Sequence, residues 1–291
     1  MLWPLFFVFW GPQVSFDQAD YNALKESFKR QHQLGVESFL PHRWFGKPQS
    51  WANPGQEPCM IDPKGNIVAA TEIRPPPRVQ QRAIGTIRSK IASTSTGRDL
   101  LKLADQGRIS AGFELGNEGG ALAAYVYGRR DILFNANSRL LEHEDVASFV
   151  TQASFTGAHE LTHVAQDRHV GRDFGRWDLR IPVMHQIMAT RHFEAAADAV
   201  AVDVAWQLKE TGDQSLWRML ETNPVEAPLA HAFQKSVAKN SDNATNGKAR
   251  RAAHDAWFKN QPALAHYDQD VINRIGSGLE ALAGQQAAGF P

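Results

Sequence analysis

The sequence predicts an α+β fold, mainly helical, in which a small antiparallel sheet precedes one long helix and the C-terminal half is helical throughout. Three observations carry this. Between Ile109 and Asn135 short alternating or apolar runs are separated by turn residues. After Asn137 nearly every stretch has helical apolar spacing, with start and stop residues in place. With 291 residues, 43% of them hydrophobic, the chain can bury a substantial core.

In chain order, Met1 to Trp10 is apolar and aromatic. It is too short to span a bilayer and lacks the basic start and small-residue cleavage site of a secretory signal. A clipped export signal, a membrane-surface anchor and a core segment all remain open, and no other stretch is apolar enough for stable membrane insertion. Residues 17–33 read as an amphipathic helix. From about 41 to 79 the chain is rich in Pro, Gly and Trp, and Pro75, Pro76 and Pro77 make a stiff extended run. Residues 1–79 are therefore an irregular segment with one helix, leading into a domain at 80–291.

That domain opens with a helix at 80–92. A second helix, capped by Ser95 or Thr96, stops near Gly107. Strands follow at 109–115, at 122–127 (Tyr125 and Tyr127 on one face) and at 131–135, with a turn at 117–120. Helices are expected near 144–168, 182–211, 213–221, 225–240, 247–259 and 267–284. Pro182 and Pro224 suit first-turn positions and Gly212 a C-terminal stop.

Lys+Arg and Asp+Glu are equal at 31 each, so nothing in the charge draws the chain to nucleic acid or an acidic membrane. Cys59 is the only cysteine, which excludes an internal disulfide and a cysteine-rich zinc site. A metal here must be held by histidine and carboxylate.

Such a site is suggested by His159-Glu160-Leu161-Thr162-His163. A helix puts residues four apart on one face, so two imidazoles can share one ion while Glu160, about 100° around, reaches a water. The apolar residues Val146, Val150, Ala153, Leu161 and Val164 fall mostly on the opposite side, so this helix is expected to bury its back and present its histidines to a cleft. Hydrolytic zinc usually takes three protein ligands and keeps one position open. Two residues compete for the third place. Glu194 lies in His192-Phe193-Glu194-Ala195-Ala196-Ala197-Asp198, where Asp198, one turn on, can accept the free N–H of a ligand histidine. His169 lies six residues after His163.

With Glu194 and Asp198 spaced as Glu-x-x-x-Asp after H-E-x-x-H, the chain resembles the gluzincins, the thermolysin-like zinc peptidases. The run HELTHVAQ followed by EAAAD also resembles bacterial metallopeptidase domains of unknown function. The resemblance covers residues 95–211, with 212–291 as a helical continuation. It implies a zincin-like fold, a Zn2+ cofactor held by His159, His163 and Glu194, and an edge strand at Asp131–Asn135 that pairs with extended substrate. The alternative with His169 follows the metzincin outline, but Gln166 stands where that family turns the chain at a glycine. Met184 and Met188, candidates for its methionine turn, fall inside an expected helix.

The activity expected is hydrolysis of a peptide or protein by metal-activated water, with Glu160 as general base. An oxyanion donor is sought among His185, His231, His254, His266 and Tyr267; His231 is the choice by resemblance, since gluzincins draw it from a downstream helix. Other readings are a catalytically inactive zincin-fold binding module, a bacterial effector or toxin protease with one dedicated target, and hydrolysis of cell-wall peptides. The intact Glu160 argues against the inactive module, because metal binding alone does not need it.

Overall fold

The computed structural model describes residues 8–9, 15–33, 59–61, 67–69, 77–114, 121–126, 129–135, 139–143, 145–170 and 180–287. The expected turn at 117–120, Tyr127 and most of 41–79 lie outside them. Two compact units divide the chain: Met1–Ser93 with Gly97–Leu161, and Thr94–Thr96 with Thr162–Pro291. The division falls inside one continuous helix.

The first unit contains β1 (Val8–Phe9), α1 (Gln18–Gln33), β2 (Cys59–Ile61), β3 (Ile67–Ala69), α2 (Pro77–Ala92), most of α3 (Ser95–Gly107), β4 (Ser110–Glu114), β5 (Ala123–Val126), β6 (Asp131–Asn135) and α4 (Val146–Val170) as far as Leu161. β2 and β3 pair antiparallel, so residues 1–79 hold short strands that their composition did not announce. The main sheet has the order β1-β4-β6-β5. It is mixed, not antiparallel: β4 and β6 run parallel, with Ala111 opposite Ile132 and Phe113 opposite Phe134. β4 and β5 therefore do not form a hairpin, because β6 lies between them. The reason is in β6 itself. All five of its residues are buried, and an apolar run of that kind is satisfied only with partners on both edges and both faces. The expectation of Asp131–Asn135 as an edge strand is overturned for the same reason; among the described residues the edge strands of this sheet are β1 and β5.

Aromatic side chains bind these elements together. The Phe149 ring on α4 lies 5.5 Å from Tyr21 on α1 and 6.2 Å from Phe113 on β4, which in turn is 5.5 Å from Phe134 on β6. Arg82 on α2 grips Asp20 on α1 through two hydrogen bonds. Gly157 on α4 sits where a Cβ would come within 3.2 Å of Ile91 Cδ1 and 3.4 Å of Ile87 Cγ2, so its lack of a side chain lets α2 pack close beside the motif. From Phe149 to Val164 every residue of α4 except the half-buried Gln152 is buried. Burial therefore runs all round this part of the helix and is not confined to the apolar back that the spacing predicted.

The second unit is helical: the end of α4, α5 (Val183–Glu210), α6 (Ser215–Thr222), α7 (Ala227–Lys239), α8 (Lys248–Trp257) and α9 (Gln261–Ala287). α5 packs against α6, α7, α8 and α9, and its small buried residues Ala195, Ala197, Ala199 and Ala201 allow close approach. Gly212, at φ +102°, ends α5 with paired bonds from Gly212 N–H to Lys209 O and from Asp213 N–H to Leu208 O. Pro224 falls in the turn before α7, and Pro228 takes the first-turn place instead. The backbone N–H groups of Ser95 and Thr96 donate to Gln207 Oε1 on α5 at 2.8 and 3.3 Å, so the start of α3 is capped by another helix. Asp203, buried one turn earlier on α5, accepts from the Thr96 hydroxyl at 2.8 Å.

Candidate metal centre

His159, Glu160 and His163 lie on the enclosed part of α4, 8%, 5% and 8% exposed. Within the first unit Glu160 is tied to the sheet: the Tyr125 backbone N–H donates to its Oε2 at 2.7 Å. The pairing pattern explains why that N–H is on offer. Asn135 N–H donates to Leu122 O, and antiparallel pairs alternate, so the N–H of Tyr125 points away from β6 toward the other side of β5.

Within the second unit, His163 Nε2 stands 3.4 Å from Glu194 Oε2. The other ring nitrogen, Nδ1, lies 2.7 Å from Gln166 Oε1. The Gln166 side-chain amide donates to the backbone oxygen of Phe193, the residue before Glu194, at 3.0 Å. One turn beyond Glu194, Asp198 Oδ2 accepts the Trp257 indole N–H at 2.9 Å. Trp257, fully buried on α8, packs on Tyr267 of α9 at 5.7 Å.

One ligand atom from each of His159, His163 and Glu194 lies within 4.8 Å of the others. Two nitrogens and a carboxylate oxygen suit zinc. Ligands roughly 2.0–2.1 Å from one tetrahedral ion stand about 3.4 Å from each other, which is the separation of His163 Nε2 from Glu194 Oε2. The donor chemistry and the spacing of this pair are those a zinc ion would need.

The other sequence candidates fall elsewhere. α4 passes Gln166 without a turn, which leaves His169 exposed in its last turn. Met184 and Met188 are exposed on α5. His231 is exposed on α7, and His185 and His266 are exposed as well. His254 stacks on His192, with ring centroids 5.6 Å apart. Sequence reasoning missed three participants: Gln166, Trp257 and the main-chain N–H of Tyr125. Only Gln166 left a signal, its place three residues after His163, where helical side chains are neighbours.

A family model described as "Putative metallopeptidase family (DUF6782)" matches residues 67–283, most of the chain. The chain belongs to this metallopeptidase family. Membership gives the class of activity, peptide hydrolysis, and implies a metal, for which the His-His-Glu group is the candidate seat. The family match includes β3 and every element from α2 to α8, so the whole candidate centre lies inside it. No curated protein and no solved structure matches the chain. Among the described residues, no helix is long and apolar enough to cross a membrane.

Proposed function

We propose that the chain is a zinc-dependent peptidase in which His159, His163 and Glu194 hold the ion and Glu160 is the general base. The observation that carries this reading is the convergence of the three ligand atoms, two of them from the helix that carries Glu160 next to His159. Zinc, when bound, supplies Lewis acidity, polarising a peptide carbonyl and making water a nucleophile near neutral pH.

The chain's own residues do the rest. Tyr125 N–H fixes Glu160 by Oε2, which leaves Oε1 to take a proton from water and pass it to the departing nitrogen. Gln166 and the α5 backbone hold His163, and Trp257 holds Asp198. The substrate is a peptide or protein. A donor for the developing oxyanion comes from the second unit, with His231 and Tyr267 as the residues to test. Tyr267 is linked through Trp257 to Asp198, one turn from Glu194, whereas His231 stands exposed on α7.

Glu160→Gln keeps the shape of the side chain and removes its basicity. Peptide hydrolysis should fall about 100-fold or more while bound zinc, read by metal analysis, stays at the wild-type ratio. Wild-type turnover in that variant would overturn the mechanism.

A further inference from the structure

Resting on that zinc-site reading, we propose that Gln166 is a positioning residue, one side chain that sets both the ring orientation of His163 and its spacing from Glu194. The hydrogen-bond chemistry permits one arrangement. The Phe193 carbonyl can only accept, so the amide of Gln166 must present its NH2 group there. Its oxygen then faces His163 Nδ1, 2.7 Å away. An oxygen facing a ring nitrogen requires that nitrogen to carry the hydrogen, so Nδ1 is N–H and, in the neutral ring that binds a metal, the lone pair is on Nε2. Nε2 is the atom that stands 3.4 Å from Glu194 Oε2. The tautomer needed for binding through Nε2 is thus fixed by a backbone carbonyl two bonds removed, with Gln166 as the relay.

The same relay acts on distance. Phe193 immediately precedes Glu194 on α5, so Gln166 joins the backbone that carries one ligand to the ring of another. Ligand histidines commonly donate their other N–H to a partner that orients them, and loss of that partner costs about 10- to 100-fold in metal affinity. Gln166 also explains why α4 continues through this point. A glycine here would permit a turn bringing His169 round, whereas a glutamine supports the helix and supplies the acceptor that His163 needs.

The test compares the full-length wild type with Gln166→Met and Gln166→Glu. Zinc affinity is read by chelator competition, and geometry by the visible absorption of the Co2+-loaded protein. Gln166→Met keeps the length of the side chain but offers His163 only a weakly accepting sulfur; it should lose about 10- to 100-fold in zinc affinity and shift the cobalt bands. Gln166→Glu still accepts from His163 but cannot donate to Phe193; it should recover part of the affinity lost in Gln166→Met while its cobalt bands stay displaced, because the spacing set through α5 is no longer held. Its recovery would show that orienting the ring matters beyond general packing, and it keeps the test decisive should Gln166→Met fold poorly. Gln166→Met binding zinc within about twofold of wild type with an unchanged cobalt spectrum would overturn the proposal, as would equal losses in both variants. A wild-type chain that binds no zinc would instead sink the zinc-site reading itself.

Discussion

The two compact units fix their functional side chains by different means. In the first unit the base, Glu160, is fixed by a main-chain N–H at the edge of β5. In the second, His163 and Asp198 are fixed by the side chains of Gln166 and Trp257. A main-chain donor is supplied by any residue but proline, so the first arrangement survives almost every substitution at position 125. The second depends on the chemistry of named residues and fails when they change.

The largest effect expected from this contrast is at Tyr125. Tyr125→Phe keeps the N–H and should leave kcat near wild type. Tyr125→Pro removes it at an edge position, where proline is tolerated in a sheet, and should lower kcat about 10- to 100-fold with zinc content unchanged. Equal kcat in the two variants would break the comparison. Next comes Trp257→Phe, which deletes a buried donor to Asp198 and should destabilise the fold by about 1–3 kcal/mol, seen as a lower melting temperature. A melting temperature equal to wild type would mean that the indole N–H contributes nothing there.

The smallest effect concerns Asp203. Burial, opposed by the Thr96 hydroxyl and the Arg250 charge, pushes its carboxyl above the usual range. A folded-state value above the unfolded one gives stability that is present in acid and lost as pH rises through the folded value. Asp203→Asn cannot titrate, so its melting temperature should gain on the wild type as pH rises above about 4, the value of an unfolded aspartate. A gap that stays constant as pH rises would show that Asp203 does not titrate differently on folding.

Much of this was readable in the sequence. β6 was delimited residue for residue, because Ile132, Leu133 and Phe134 form an apolar run between polar ends, and α3 was expected to start at Ser95 or Thr96 and stop near Gly107, as it does. The motif histidines and Glu194 were found because helical spacing makes residues four apart neighbours and ligand chemistry restricts the residue types. Strand order was not readable: periodicity identifies a strand but not the strands beside it, so the insertion of β6 between β4 and β5 went unseen. α9 begins six residues before its expected start, and Pro262 sits in its first turn, where proline lacks no needed donor. Gln166 was noted only as a missing glycine. Its hydrogen bonds become visible once α5 places the Phe193 carbonyl opposite, and Trp257 reaches Asp198 across 59 residues of sequence.

The enclosure of α4 also changes how relatives of this chain should be compared. Leu161 and Val164 are completely buried on the same helix as His159, so selection for packing will hold them as firmly as selection for chemistry holds the histidines. Invariance along this helix is therefore a poor guide to catalysis. The informative signal is the kind of exchange a position accepts. Leu161 can trade with Met or Ile for a modest loss, while His159 and His163 have no substitute of equal shape that can bind a metal.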